Sequence, residues 1–160
     1  MIILGIDPGS EQSAILFYDT ATRKIYSPMM IKNELLVKTL QMENPFDRSH
    51  DVLVCEHIEC MGMAVGKTVF ETAYWIGHFR GVSQQPFKRI YRHEEKMHLC
   101  GSMKAKDSNI RQALIDKFPA TGGGKCPQVG TKKQPGPLFG VSGDIWSALS
   151  VAITYSETKL

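Results

Sequence analysis

The chain has 160 residues, of which 42% are hydrophobic and 22% charged, a composition that excludes a disordered or fibrous protein and predicts one domain with a buried core. No apolar run reaches the roughly 18 residues that a membrane-spanning helix needs, so we expect no membrane partner. The four cysteines lack the paired spacing of a zinc site and predict a reducing, intracellular setting.

The charge is distributed unevenly along the chain. Residues 80 to 133 carry 12 Lys and Arg against 4 Asp and Glu, and the rest of the chain carries 7 against 12, although the net charge is only +3. A basic stretch of this kind favours a polyanion such as nucleic acid as the partner, with a solvated positive face as the alternative.

The first part of the chain predicts strands before helices. Val, Ile, Leu and Phe crowd residues 2–6 and 13–18, and a third short run at 24–31 follows a turn, which predicts a meander of three antiparallel strands. A helix is predicted from residue 33 to about 43, where Asn and Pro end it. The sequence DVLVCE at 51–56 then predicts a buried strand that finishes on a carboxylate.

The second part predicts one more strand and three more helices. Apolar residues at three- and four-residue spacing predict a helix over about 63–82, and residues 87–91 resemble a fifth strand. Capping residues predict helices over about 107–118 and 142–155. Between these two helices, residues 120–140 are rich in Gly, Pro and Lys, which predicts a basic flexible loop.

This order of elements predicts a single α/β domain over residues 1–160. Three antiparallel strands are followed by strands that alternate with helices and therefore pair in parallel, which gives a mixed five-stranded sheet flanked by helices. The order is typical of the RNase H-like fold.

Three acids stand at the ends of predicted elements. Asp7 ends the first strand before Pro8 and Gly9, and Glu56 ends the fourth strand in the same fashion. If these strands are parallel neighbours, two unpaired carboxylates repel each other at one sheet edge, a conflict that a divalent cation relieves. With Asp144 at the start of the last helix, three carboxylates could hold two metal ions about 4 Å apart for phosphodiester hydrolysis. Each acid taken singly has a structural alternative in a turn, a lysine partner or a helix start.

Several segments resemble the RuvC-like Holliday-junction resolvases of the RNase H-like superfamily. The opening GIDPGS, with Asp7, resembles the family's first-strand motif, and VCE, with Glu56, is similar to the segment that bears its glutamate. GHFRG resembles the end of the family's long helix, and Lys96 and Gly101 resemble a lysine and a glycine at that spacing. The segment DIWSALSVA, which begins at Asp144, resembles the closing helix, whose pattern is D-x-x-D-A-L-x-x-A.

The resemblance implies a crossover junction resolvase, a Mg²⁺-dependent endodeoxyribonuclease of DNA recombination and repair. Such an enzyme is a homodimer that binds a four-way junction and nicks two strands symmetrically, with one or two Mg²⁺ ions, or Mn²⁺ in their place, in each active site. The implied catalytic residues are Asp7, Glu56, Asp144 and Lys96, and the three acids are the implied metal ligands. The implied setting is the cytoplasm or nucleoid of a prokaryotic host, with a cellular or phage-encoded protein. The dimer face would lie on the long helix, although core packing also explains its apolar residues.

The sequence departs from the family's pattern at two positions. Ser147 stands where the family has a fourth acid, one helical turn after Asp144, and a hydroxyl is a weaker metal ligand than a carboxylate. Glu59 could compensate as a ligand, with an exposed acid as the alternative. Glu59 also stands where relatives carry an aromatic side chain that stacks on a base. The candidates for that stacking role are Met61, Met63 and Phe70.

Basic residues in the second half of the chain are expected to contact DNA. Lys96 is expected to reach the scissile phosphate and to neutralise developing charge there. The loop lysines are expected to bind the backbone when DNA orders the loop, with a solvated linker as the alternative. The expected DNA contacts are Arg80, Arg92, Lys96, Lys104, Lys106, Lys125, Lys132 and Lys133.

Three other functions stay open at this point. An RNase H-like nuclease that acts on structured RNA would share the opening strand and the metal chemistry. A junction-binding protein with weakened or absent cleavage is suggested by Ser147. An actin-like ATPase also begins with a strand, an Asp and a Gly-rich turn, but it needs two lobes, which the length nearly excludes.

Overall fold

The chain forms a five-stranded sheet with helices on both faces, as described by a computed structural model for residues 1–42, 49–59, 62 and 64–160. Within these residues the strands are β1 (Ile2–Asp7), β2 (Gln12–Asp19), β3 (Lys24–Lys32), β4 (Val52–His57) and β5 (Phe87–Tyr91). The helices are α1 (Asn33–Leu40), α2 (Lys67–Val82), α3 (Arg92–Cys100), α4 (Asp107–Asp116) and α5 (Ile145–Thr158). None of these helices is long and apolar enough to cross a bilayer.

The strand order confirms the predicted mixed sheet. The order is β3-β2-β1-β4-β5, in which β2 pairs antiparallel with β1 and β3, and β4 pairs parallel with β1 and β5. Ile6 of β1 is in register with Cys55 of β4. Asp7 and Glu56 come next in their strands, so both stand at the same edge of the sheet.

Both faces of the sheet are buried, which explains the nearly continuous apolar runs of its central strands. Side chains alternate between the faces. Ile3 and Val54 pack in the cluster that includes residues of α4 and α5. Leu4 and Leu53 pack in the cluster on the opposite face, with residues of α1 and α2.

Gly5 allows α5 to lie directly against β1. A Cβ atom at Gly5 would stand 2.5 Å from the carbonyl oxygen of Ala148 in α5. Only a residue without a side chain permits this approach. The close contact places the beginning of α5, and with it Asp144, over the end of β1.

The helix α3 is absent from the sequence prediction. Its sequence, RHEEKMHLC, is mostly polar and carries no apolar stripe of helical period, so its pattern does not predict a helix. The helix is stabilised at its start, because the carboxylate of Glu94 accepts a hydrogen bond from the backbone N–H of Tyr91 at 2.9 Å.

Two other helices differ from the prediction at their first residues. The helix α5 begins after Asp144 rather than at Ser142, whose carbonyl accepts a hydrogen bond from the N–H of Ile145. The helix α2 begins at Lys67, whereas its expected first residue, 63, and the expected end of α1 near 43–45 lie outside the described residues.

The loop over residues 120–140 has a defined hydrogen-bonding pattern, where its composition predicts flexibility. The N–H of Gly122 donates to the carbonyl of Pro127 at 2.8 Å, and that of Gly130 donates to the carbonyl of Cys126 at 2.8 Å. Gly130 has a φ of +77°, a conformation that favours glycine. Leu138 is fully buried and anchors the end of the loop in the core. Glycine therefore allows close packing of the backbone here, and the flexibility of the loop stays a prediction.

Candidate active site

Asp7 and Glu56 form a largely buried pair of carboxyl groups at the end of β1 and β4. Burial raises the pKa of Asp7 to about 8, the negative charges of Glu56 and Asp144 add to the effect, and the charge of Arg92 opposes it. Burial also raises the pKa of Glu56, again against Arg92. Asp7 therefore holds a proton near neutral pH, and burial disfavours the charged form of both groups, which means that the protein supplies too little positive charge to balance the pair.

Asp144 contributes a third negative charge from the start of α5. It is the N-cap residue of that helix, but its side chain makes no hydrogen bond to the helix N-terminus. The alternative in which Asp144 serves only as a helix cap is therefore not supported. Its charge acts on Asp7, although Asp144 does not join Asp7 and Glu56 in a three-ligand group among the residues that the structure describes.

The turn that follows Asp7 is held by side chains from two helices. Asn33, fully buried at the start of α1, donates from Nδ2 to the carbonyl of Gly9 at 2.9 Å and accepts from Ser13 Oγ at 2.7 Å. Trp75 of α2 donates from Nε1 to the carbonyl of Ser10 at 2.9 Å. These contacts fix the backbone next to Asp7, and the sequence pattern, which predicts only that a helix begins at residue 33, does not reveal them.

Two clefts open beside the carboxyl groups. The first, here called the glutamate cleft, has a volume of about 390 Å³ and is lined by Glu56, Glu59, Val65, Arg92, His93 and Lys96 among others. The second, the aspartate cleft, has a volume of about 360 Å³ and is lined by Arg92, Asp107, Arg111, Asp144, Trp146 and Ser147 among others. Arg92 lines both clefts.

The glutamate cleft contains two further residues that the sequence singles out. Lys96 lines the cleft together with Glu56. Glu59 lines it too, but its carboxylate is 2.7 Å from Nδ1 of His93. The carboxylate of Glu59 thus already contacts a histidine, so a role at the sheet edge is not its only possible interaction.

The other expected DNA contacts lie outside both clefts. Lys104 and Lys106 are exposed between α3 and α4, and Arg80 is exposed about 16 Å along α2 from Val69, which lines the glutamate cleft. The lysines of the 120–140 loop are exposed as well; they are Lys125, Lys132 and Lys133.

Of the stacking candidates, Phe70 is 66% exposed on α2, and Met61 and Met63 lie outside the described residues.

Glu95 is a fully buried acid that the sequence analysis does not single out. It lies on α3, where Ser150 of α5 donates a hydrogen bond to its Oε2 and Nη1 of Arg92 is 2.9 Å from the same oxygen. Burial and then the charge of Glu56 raise the pKa of Glu95 to about 8, despite Arg92. Two sequence features hint at this contact: an acid within the basic stretch and a serine within the apolar α5. Local sequence patterns do not reveal that they pair, because they are 55 positions apart.

The side-chain ligands available at the sheet edge can be compared with those that a divalent cation requires. Among residues 1–42, 49–59, 62 and 64–160, no three His, Cys, Asp or Glu side chains are grouped as in a metal site. Asp7 and Glu56 nevertheless supply carboxyl oxygens, the ligands that Mg²⁺ and Mn²⁺ prefer, and burial disfavours their charged forms, which a bound cation would stabilise. These two residues fit a hard divalent cation.

The fold was compared with those of known proteins. A structure of Thermus thermophilus RuvC aligns with a TM-score of 0.66 and 14% identity over 99% of this chain and 97% of that one. T. thermophilus RuvC in complex with a Holliday junction substrate aligns with a TM-score of 0.63 and 12% identity over 98% and 92%. The fowlpox virus resolvase in complex with Holliday junction DNA aligns with a TM-score of 0.52 and 19% identity over 100% and 99%.

In sequence, no family model and no curated protein matches the chain. The likeness in structure covers almost the whole chain, including the strands that carry Asp7 and Glu56. The chain therefore has the RNase H-like fold of the RuvC and poxvirus Holliday junction resolvases.

Proposed function

We propose that the chain is an endonuclease that binds four-way DNA junctions and nicks two strands symmetrically by metal-dependent phosphodiester hydrolysis. The observation that carries the proposal is the buried pair of Asp7 and Glu56, with its unmet demand for positive charge, at the edge of a RuvC-like sheet. Asp144 adds a third acid next to this pair. Buried, strongly perturbed carboxyl groups in a cleft are a common mark of a functional site.

Mg²⁺, or Mn²⁺ in its place, is the cofactor proposed for this site. Asp7 and Glu56 would hold one ion, and Asp144 and Ser147 in the aspartate cleft are candidates for a second. When bound, the ion supplies positive charge and Lewis acidity for phosphodiester hydrolysis. Glu59 is a weaker candidate as a ligand, because His93 already binds its carboxylate.

Basic side chains around the two clefts can bind a phosphate backbone. Lys96 shares a cleft with Glu56, so it can neutralise charge on a phosphate that is bound there. The exposed basic residues between α3 and α4 and in the 120–140 loop extend the positive surface beyond the clefts. Contacts of this kind provide affinity and orientation rather than sequence readout.

The decisive experiment is cleavage of a mobile four-way junction in Mg²⁺ and in Mn²⁺, with structured RNA as a parallel substrate. We expect paired nicks at symmetric positions in the junction. Asp7→Asn and Glu56→Gln should each lower single-turnover cleavage by about 10³-fold or more while binding is kept. Glu34→Gln, a change of an exposed acid on α1, should behave as the wild type.

The outcomes separate the alternative functions. Faster cleavage of structured RNA than of any junction would assign the site to RNA. Junction binding without cleavage in either metal would make the protein a binder, the alternative suggested by the serine at position 147. Wild-type nicking by Asp7→Asn would refute the proposed mechanism.

The substitution Ser147→Asp places a carboxylate at the position where the pattern of the resolvases has its fourth acid. Ser147 lines the same cleft as Asp144, one helical turn along α5, so a carboxylate there would add a ligand of higher affinity. We expect tighter Mn²⁺ binding, measured by calorimetry, and faster cleavage. Weaker cleavage would assign the hydroxyl a role of its own.

A homodimer is proposed through α2. On this helix, Ile76 is buried in the core, and Trp75 packs against the core and donates to the carbonyl of Ser10, so the fold explains both residues. Phe70 and Tyr74 are instead 66% and 55% exposed one turn apart on this helix. Tyr74→Glu should shift the protein from dimer to monomer in sedimentation velocity. Leu35→Glu, a matched change at an exposed apolar residue of α1, should not.

A further inference from the structure

Arg92 lies in the wall between the two clefts and is held by acids of very different exposure. Its Nη1 is 2.9 Å from Oε2 of Glu95, and its Nη2 is 2.5 Å from Oδ1 of Asp107. Its Nε is 4.0 Å from Oε1 of Glu56, too far for a hydrogen bond. A guanidinium group has five N–H donors. Within the described residues, the recorded hydrogen bonds of Arg92 therefore leave donors free for a ligand in the clefts.

Glu95 is the fixed partner of Arg92. Its side chain is 0% exposed, and Oε2 also accepts a hydrogen bond from Ser150, itself fully buried in α5. Its Oε1 is buried and has no hydrogen-bond partner among the described residues. A fully buried acid with one unsatisfied oxygen destabilises a fold, so it is not explained by stability alone. What it does provide is a rigid attachment for one side of the guanidinium group.

Asp107 is the exchangeable partner of Arg92. Its side chain is 87% exposed, and it lines the aspartate cleft with Arg92 and Asp144. An ion pair with such an exposed carboxylate contributes little energy and can be replaced by another anion. A phosphate oxygen offers the same charge and matches the guanidinium fork.

We propose that Arg92 binds the scissile phosphate, which displaces Asp107, and that Glu95 and Ser150 are positioning residues that hold Arg92 beside Glu56. The proposal rests on the junction nuclease activity proposed above. It adds a phosphate ligand between the clefts to the sequence candidate Lys96, which lines only the glutamate cleft. It also explains why α3 and α5 bury a polar pair, Glu95 and Ser150, where they meet.

The test measures junction affinity without added metal, in EDTA, so that its readout does not depend on cleavage. The phosphate that the wild type cuts is mapped first. Affinities are then compared for a normal junction and for one with a neutral methylphosphonate at that phosphate. Arg92→Lys, which keeps the charge but loses the fork, should weaken binding of the normal junction by about tenfold and leave binding of the neutral junction unchanged.

The two partners of Arg92 should respond in opposite directions. Asp107→Asn removes the competing anion, so it should tighten binding of the normal junction about threefold more than Asp116→Asn does at the other end of α4. Glu95→Gln and Ser150→Ala should weaken binding of the normal junction, and neither should have a further effect in the Arg92→Lys background. Glu94→Gln, the same change one residue earlier, is the control for helix α3.

Two results would overturn the inference. One is an equal loss of affinity for both junctions in Arg92→Lys, which would make Arg92 a structural ion pair. The other is an effect of Asp107→Asn no larger than that of Asp116→Asn. If the wild type cuts junctions and either result is found, only this inference fails. If the wild type cuts no junction, the proposed function fails and this inference fails with it.

Discussion

Two ionic clusters of the molecule use similar residues to opposite effect. The edge cluster consists of Asp7 of β1, Glu56 of β4, and Arg92 and Glu95 at the beginning of α3. The Glu157 cluster joins Glu157 of α5 to Nζ of Lys117, which follows α4, at 2.8 Å and to Nε2 of His98 of α3 at 2.6 Å. In the edge cluster, burial raises the pKa of Asp7 and of Glu95 to about 8. In the Glu157 cluster, burial opposes the charged form, but hydrogen bonds from Lys117 and His98 outweigh it and lower the pKa of Glu157.

The opposite pKa shifts distinguish the two clusters. The Glu157 cluster stabilises the folded state, whereas the charged acids of the edge cluster destabilise it. A lowered carboxyl pKa means that folding favours the charge, and a raised pKa means that folding opposes it. The edge cluster has fewer cations than acids. The resulting electrostatic destabilisation is located where the two clefts meet. Such destabilisation is expected at a binding site for a cation or a phosphate rather than at a structural contact.

Asp7→Asn should have the largest effect and should stabilise the metal-free protein. The unfolded Asp7 loses its proton near pH 3.8 and the folded one near 8, so wild-type stability falls as pH rises between these values. The asparagine variant lacks this loss. Its free energy of unfolding at pH 8 should exceed that of the wild type by about 2 kcal/mol or more, and the gain should vanish below about pH 4. Urea denaturation in EDTA measures both.

A variant that is less stable than the wild type at pH 8 would show that Asp7 is a structural acid, and the contrast between the two clusters would disappear.

Gly5→Ala should have the next largest effect, because both clusters depend on the position of α5. The new Cβ would stand 2.5 Å from the carbonyl oxygen of Ala148, so the helix must move away from β1. We expect a loss of about 1–3 kcal/mol in the free energy of unfolding and weaker binding of Mn²⁺. Gly81→Ala, where nothing lies within 4 Å, is the matched control and should be neutral or slightly stabilising. Equal behaviour of the two variants would contradict the close contact.

Glu157→Gln should have a smaller effect of the opposite sign to Asp7→Asn. Because the pKa of Glu157 is lowered on folding, its contribution is present above about pH 4.5 and is lost as pH falls through the folded pKa. We expect a loss of about 0.5–1 kcal/mol at pH 7, little change at pH 3, and unaltered cleavage. Thermal unfolding at the two pH values, together with the cleavage assay, checks it. Impaired cleavage would place this cluster in the active site too.

Replacing Lys132 and Lys133 by Ala should leave both clusters intact and act on DNA binding alone. If both contact phosphates, the slope of log K against log salt should become shallower by about 2. Junction titrations at several salt concentrations measure the slope, and the double variant of the exposed Lys24 and Lys38 is the control. An unchanged slope would remove the loop from the DNA interface.

Much of the fold follows from local pattern. The apolar runs that predict β1 and β4 are strong because these strands are buried on both faces, and their parallel pairing brings Asp7 and Glu56 together as expected. The polar sequence of α3 gives no such signal, because that helix is stabilised by its cap and by contacts with α5. Glu95 was missed for the same reason, since its burial depends on Ser150 in a distant segment.

The 120–140 loop shows what composition does not reveal. Glycine, proline and lysine over residues 120–140 predict flexibility from composition, yet glycines such as Gly130 are required for tight packing of the backbone. Composition does not distinguish a glycine that frees the chain from one that lets it pack closely. That distinction depends on neighbours remote from the local pattern.

The close packing of α5 against Gly5 also has a consequence for the synthesis of the protein. Asp144 and Ser150 come late in the chain, whereas Asp7 comes at its beginning. Asp7 and Glu56 meet when β1 pairs with β4, whereas Asp144 and the Ser150 contact of Glu95 join this edge only when α5 packs on β1. A growing chain on the ribosome therefore contains Asp7, Glu56 and Arg92 before it contains Asp144 and Ser150, so the site that we propose is complete only once α5 has been made.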